Sequence, residues 1–269
     1  MKQTPCPAAR IITGAEYVRQ ITALESDRRA RSAFQDLVVR IAPPGAALFD
    51  FGSGAGMDAR FYAEHGFTVA AYDVDLQMCE YLAGQCQDLI DAGRVTLERG
   101  GYREFLARPC AAGTPGAALV TSNFAPFNLI GDLRELFAKL HALTAPDGRV
   151  LASVLSPYFI GDLHYGWWWR NALRLWRNGH YSVPGAQAPI IRRRLAEFAA
   201  LSAPYFTLHC VFPGLPSNRA QHASGIDVSR GARHAWLRLT RCRFMFLLFE
   251  RQPQRDDEAR KPVFAPSSI

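Results

Sequence analysis

Metal-ligand spacing is absent from this 269-residue chain. Its six cysteines, Cys6, Cys79, Cys86, Cys110, Cys210 and Cys242, include no Cys-x-x-Cys pair, and no histidine stands at ligand spacing from them. That excludes a zinc site and a disulfide framework, so no metal is expected and a reduced, cytoplasmic compartment fits. Long apolar runs are also missing. The longest strongly apolar stretch, Phe244 to Phe249, is far short of the roughly twenty residues that cross a bilayer, and Met1 to Arg10 lacks the apolar core of a signal peptide. No membrane partner is therefore expected, and there is no internal repeat. Lys and Arg number 31 against 24 Asp and Glu, a net charge of +7, but they are thinly spread. The one tight cluster, Arg192-Arg193-Arg194, has no interleaved aromatics. It reads as a solvated helix face rather than a nucleic-acid stripe, with a docking patch for an acidic carrier protein as the lesser alternative. No nucleic-acid partner is expected.

What is present is enough apolar material, 49% of residues, for one sizeable core. Residues 1 to about 12 read as a loose leader, and Gly14 to Ile41 as a helix ended by Pro43-Pro44-Gly45. An alternation follows: strands at 46–51, 67–72, 95–98, 117–122 and 150–155, and helices at 58–65, 76–90, 102–107 and 132–143. This order predicts an α/β fold with a parallel sheet of β-α-β units. After Leu155 the pattern breaks. Residues 156 to about 203 hold aromatics, arginines and turn residues but no predicted strand. Strands at 205–212 and 236–250, joined by a loop, predict an antiparallel hairpin closing the sheet, and the charged tail from Gln252 reads as disordered. The expected units are thus 1–155, 156–203 as an aromatic-rich cap, 204–251 completing the sheet, and 252–269 as tail.

The most informative segment is Leu48-Phe49-Asp50-Phe51-Gly52-Ser53-Gly54-Ala55-Gly56, a buried strand running into a loop with glycine at alternate positions. Glycine lets a backbone turn sharply and approach a ligand. A dinucleotide fingerprint requires a small residue at position 57, where this chain has Met57. Phe67 to Tyr72 ends in Asp73, 21 residues after Gly52; such a carboxylate can accept both hydroxyl protons of a ribose, while Asp75 is free to cap the next helix.

These motifs resemble those of class I S-adenosylmethionine-dependent methyltransferases, from about Tyr17 to Leu155. The resemblance implies a Rossmann-like, mostly parallel seven-stranded sheet with an antiparallel C-terminal hairpin and a helical cap insertion. It implies S-adenosyl-L-methionine as cofactor, held by Tyr17, Asp50, Gly52, Ser53, Gly54, Gly56, Asp73, Val74, Met78, Gly101, Tyr102, Asn123 and Phe124. Relatives often carry an acid after the third strand; this chain has Gly100-Gly101-Tyr102, so an adenine contact there falls to backbone groups or Tyr102. Asn123, in Thr121-Ser122-Asn123-Phe124-Ala125-Pro126-Phe127-Asn128, would stand near the methyl donor, whereas Asp132 reads as a helix cap and Asn128 as cap or chemistry with equal weight.

Four of the five tryptophans lie between residues 167 and 176, as core packing or as walls of an acceptor pocket. Asn123, Tyr158, His164 and Tyr165 are the candidates for catalytic polar contacts, with His180 and Tyr181 behind them. The expected function is methyl transfer to a small-molecule or carrier-linked metabolite. Two alternatives share the motifs: a cyclisation within the cofactor that releases methylthioadenosine, and a non-catalytic methyltransferase-like binding subunit.

Overall fold

The computed structural model describes residues 13–110, 116–185, 188–214, 225–227 and 239–253. The expected leader at 1–12, most of the tail and Trp236 lie outside them. Five parallel strands form the body of the sheet: β1 (Ala47–Phe51), β2 (Thr68–Asp73), β3 (Val95–Arg99), β4 (Ala117–Ser122) and β5 (Thr144–Leu155). The late strands β8 (Phe206–Pro213) and β10 (Phe244–Arg251) are antiparallel to each other, and β10 lies against β5. The sheet order is β3-β2-β1-β4-β5-β10-β8-β9, where β9 (Ile226–Asp227) is a two-residue edge strand within the stretch expected to be a loop. The mostly parallel α/β sheet with its antiparallel C-terminal side is therefore as expected, with this short edge added.

Alternation along the strands fills both faces. Leu48, Val69, Leu119 and Leu151 point to one side, where Phe34, Leu37 and Val38 of α2 (Glu25–Ile41) and Tyr62 of α3 (Met57–Glu64) cover them. Phe49, Phe51, Val120 and Val150 point to the other, under Phe105 of α6 (Tyr102–Ala107) and Leu133, Leu136, Phe137 and Leu140 of α7 (Leu133–Leu143). Strands covered on both faces are near-continuously apolar, which is why Phe244 to Phe249 reads as an unbroken run.

The strand expected at 236–250 starts only at Phe244, with residues 239–243 outside it, and further expectations needed correction. The N-terminal helix is two: α1 (Gly14–Ala23) and α2, broken at Leu24 (φ −91°, ψ 123°). Glu25 and Asp27 start α2 with acids in its first turn, favourable at a helix N-terminus, and the Arg28 guanidinium donates to Thr22 O (2.8 Å) at the end of α1. The helix expected at 76–90 likewise divides at Cys86 into α4 (Leu76–Gln85) and α5 (Gln87–Asp91). Between α8 (Gly166–Asn178) and α9 (Leu195–Ser202), the region with no predicted strand holds an antiparallel hairpin, β6 (His180–Val183) with β7 (Ile190–Arg193).

That hairpin explains the arginine cluster, which is neither a solvated helix face nor a docking patch. Arg192 and Arg193 are buried. Arg193 donates to the carbonyls of Phe127 (3.3 Å), Ile130 (2.7 Å) and Gly131 (2.8 Å). Arg192 pairs with Asp162, donates to Ser156 O (3.1 Å) and lies over the Trp167 ring. Asn128 is neither cap nor catalyst: its amide donates to Ile191 O (2.7 Å) and its carbonyl accepts from Leu155 N (2.9 Å). These groups fasten the hairpin to the segment that follows β4.

Candidate functional site

The strand order reverses between β1 and β4, so the connections leaving these two neighbours diverge and open a crevice at their carboxyl ends, where ligands bind in such sheets. The turn after β1 forms one wall. Gly52 and Gly54 have positive φ (74° and 53°), and the amides of Gly52 and Ser53 both donate to Tyr72 O, holding the turn against β2. A Cβ on Gly52 would fall 2.5 Å from the Pro126 ring, whereas one on Gly54 would meet nothing nearer than the Tyr17 ring at 3.6 Å. Gly52 is therefore required by packing, and Gly54 faces open space beneath Tyr17. Gly56, in left-handed conformation, starts α3.

A narrow cavity opens in that space. Gly52, Ser53, Gly54 and Ala55 form its base, Asn123 and Phe124 one side, and Tyr17, Ile21 and Arg31 of the N-terminal helices the other. Met57 and Asp58 close it from α3. Asp58 is its polar centre: it pairs with Arg31, and accepts from the amides of Gln35 (2.8 Å) and Asn123 (3.2 Å). The Arg31 guanidinium also lies 4.4 Å from the Phe124 ring centroid. Behind this group Asp50 is buried, its Oδ1 accepting from the Thr121 hydroxyl (2.7 Å) while Oδ2 has no partner. Burial, reinforced by the Asp58 charge, pushes the Asp50 carboxyl up to about 7, against the Thr121 hydrogen bond and Arg31. Burial likewise raises the Tyr17 phenol, with Arg31 opposing.

Asp73 ends β2 beside the same turn. Its Oδ2 accepts from Gly54 N (2.7 Å) and its Oδ1 from Asp75 N (2.9 Å). Burial raises its carboxyl and these amides pull the other way. As a carboxylate has about four lone-pair positions, two remain for a ligand. Asp75 caps α4 through Gln77 N and Met78 N, so Asp73 is not that helix's cap, and Asp132 caps α7.

The predicted site residues thus divide. Tyr17, Gly52, Ser53, Gly54, Asn123 and Phe124 meet at the cavity, with Asp73 at its base through Gly54 and Asp50 behind. Val74 is exposed and Met78 is buried in the first turn of α4. Gly101 precedes α6, and the Tyr102 ring packs on the second core cluster near Asp132 and Glu135. None of Tyr158, His164 and Tyr165 lines the cavity. Tyr158 packs on the second core cluster, its phenol pushed up to about 12 by burial, and the exposed His164 and Tyr165 rings contact each other at 3.9 Å. Among the outer candidates, His180 pairs with Glu197 (2.9 Å) and Tyr181 is buried. Sequence reasoning missed Arg31, Gln35 and Asp58. Arg31 sits in a basic run that reads as solvent-facing, and Asp58 looks like an ordinary first-turn acid.

The chemistry of these groups suits a ligand with both a ribose and a zwitterionic amino acid. Asp73 offers acceptors for hydroxyls, Arg31 and Tyr17 offer donors for a carboxylate, and the buried Ser53 hydroxyl has no partner. Among the described residues no group of acids, histidines or cysteines could hold a metal ion.

The family model described as a methyltransferase domain matches residues 26–212. No curated protein matches the chain. Solved structures that resemble it include a TehB-like S-adenosylmethionine-dependent methyltransferase from Corynebacterium glutamicum (14% identity, TM-score 0.54, covering 89% of this chain and 98% of that one). Another is an S-adenosylmethionine-dependent methyltransferase from Mesorhizobium loti (15%, 0.54, 86% and 100%). A third is the 1,6-didemethyltoxoflavin-N1-methyltransferase of Burkholderia thailandensis (17%, 0.54, 91% and 93%), solved with 1,6-didemethyltoxoflavin and S-adenosylhomocysteine bound. At these identities the likeness is one of fold.

Proposed function

The chain belongs to the methyltransferase-domain family, a class I enzyme with S-adenosylmethionine as cofactor, and on that premise we propose that it methylates a free small molecule. The observation that carries this reading is the cavity itself. It is narrow and walled by the glycine turn, the N-terminal helices and the segment after β4. A nucleic-acid acceptor calls for a basic track, and among the described residues Arg31 is the one basic side chain lining the cavity. The carrier-linked alternative rested on Arg192-Arg193-Arg194, of which Arg192 and Arg193 are buried. The Burkholderia neighbour, bound to 1,6-didemethyltoxoflavin, supports the same substrate class.

In this reading Asp73 would hold the ribose hydroxyls, and the turn from Gly52 to Gly54 would pass close to the cofactor. Arg31 and Tyr17 would hold its carboxylate. When bound, the cofactor supplies an already activated sulfonium methyl, so alignment of the acceptor is the main catalytic demand on the protein. Asn123, its side-chain amide donating to Asp58 and its Oδ1 accepting from Phe124 N (2.9 Å), would position the acceptor side of the cavity. Tyr17 and Phe124 would exclude water from it. Incubation with S-adenosylmethionine and a panel of small nitrogen, oxygen and carbon acceptors, followed by mass spectrometry, tests the proposal. S-adenosylhomocysteine together with a methylated acceptor is expected; methylthioadenosine as the nucleoside product would replace methyl transfer by a different displacement.

A further inference from the structure

Helix α8 buries one side and, among the described residues, leaves the apolar surface of another largely uncovered, with the Trp169 indole donating to Leu163 O (2.9 Å). Asn171 and Leu175 are buried, but Trp169, Leu173 and Trp176 are 63%, 67% and 75% exposed. At 3.6 residues per turn these three positions fall within roughly 60° of one another, a single apolar stripe. Tyr165, just before the helix, extends it at 48% exposed. Arg170, Arg174 and Arg177 lie together along one flank of the stripe, and the helix contains no acid. None of the three arginines forms an ion pair among the described residues; the Arg174 guanidinium donates to Asn171 Oδ1 (3.2 Å).

A contiguous apolar patch of this kind marks a contact surface. A second copy joined face to face would bring two sets of three arginines together with no acid on either helix. An acidic protein would answer the arginines but gives no reason for two exposed indoles. Indoles suit the layer between lipid headgroups and acyl chains, and arginines beside them reach phosphates while their stems stay on apolar material. The net charge of +7 draws the whole molecule the same way. We propose that α8 docks the protein on an anionic lipid surface, lying in its plane with Trp169, Leu173 and Trp176 entering the interface. Among the described residues no helix is long and apolar enough to cross a membrane, and that shortage bears on spanning, not on lying flat. The proposal is independent of the acceptor's identity.

Co-sedimentation of the full chain with vesicles of phosphatidylcholine, alone or with roughly a third phosphatidylglycerol, tests it. Binding to the anionic vesicles only is expected, weakening steeply with salt, with a blue shift of tryptophan emission. Trp176→Glu and Leu173→Glu should each reduce partitioning at least tenfold, and so should the triple change of Arg170, Arg174 and Arg177 to Gln. Melting temperatures should stay unchanged because these side chains are exposed. Wild-type protein that remains in the supernatant with anionic vesicles overturns the proposal. So does binding that survives both glutamate variants, which would assign it to overall charge. A dimer that Trp176→Glu dissociates would also overturn it, by giving the stripe to a second copy.

Discussion

Asp50 is a carboxyl placed where its charge is costly, and Asp58 is one placed where its charge is answered. Three donors converge on Asp58, whereas Asp50 has the Thr121 hydroxyl on one oxygen and nothing on the other. The Asp50 carboxyl is raised from its ordinary 3.8 to about 7, so the folded chain keeps a proton there that the unfolded chain releases across that interval. Stability associated with this proton is present at low pH and is lost as pH rises through the window. Asp50→Asn cannot ionise, so its stability relative to wild type should grow between pH 5 and pH 8, by an amount on the order of a few kcal/mol at most. Urea midpoints of both proteins at the two pH values measure this; a constant gap would mean that Asp50 is charged throughout. Both this carboxyl and the glycines after it were legible in the sequence, because a strand followed by a glycine turn is a local pattern. Its electrostatic partners were not. Arg31 and Asp58 are 27 residues apart and meet only once α2 packs on α3.

At the level of elements, strands and helices followed from the period of apolar residues, and the failures have physical causes. Helices α1 and α2 share one apolar rhythm, so the break at Leu24 leaves it undisturbed. The hairpin β6–β7 was missed because the buried positions of β7 are not its apolar ones: Arg192 and Arg193 occupy the buried positions at the end of β7 while Ile190 and Ile191 are only half-buried. The partners of Arg193 are main-chain carbonyls 62 to 66 residues away and those of Arg192 lie 30 and 36 residues away, which no local sequence window contains. Arg193 is therefore predicted to be structural and yet to affect the site. Arg193→Met keeps much of the stem but leaves three carbonyls and Glu197 short of a donor, a loss of about 3 kcal/mol or more. Urea denaturation should show that drop, and amide exchange should quicken across residues 123–131 more than across β1 to β3. Unchanged stability would mean that the hairpin is held by its apolar contacts alone.

For the whole molecule, the cavity's walls come from four separate parts of the chain: the N-terminal helices, the turn after β1, the start of α3 and the segment after β4. A ligand seated there contacts all four, and unfolding any of them releases it. Binding must then stabilise the native chain as a unit, by about 2.7 kcal/mol when the ligand stands a hundredfold above its dissociation constant. For a chain of this size each kcal/mol moves the melting temperature by about 2–4 °C, so a rise of roughly 5–10 °C is expected with S-adenosylmethionine or S-adenosylhomocysteine. Asp73→Ala removes the acceptor for ribose hydroxyls and should lower affinity more than tenfold, shrinking the rise at the same ligand concentration. The comparison must be made on each protein's own baseline. Asp73 also accepts from Gly54 N and Asp75 N, so the variant should melt somewhat lower even without ligand. Gly54→Val is the stricter variant, because it places a branched side chain at φ 53° in the open space under Tyr17. It should retain a cooperative transition and show no ligand-dependent rise at all. A normal rise in Gly54→Val would place the cofactor elsewhere than in this cavity, whatever the fate of Asp73→Ala.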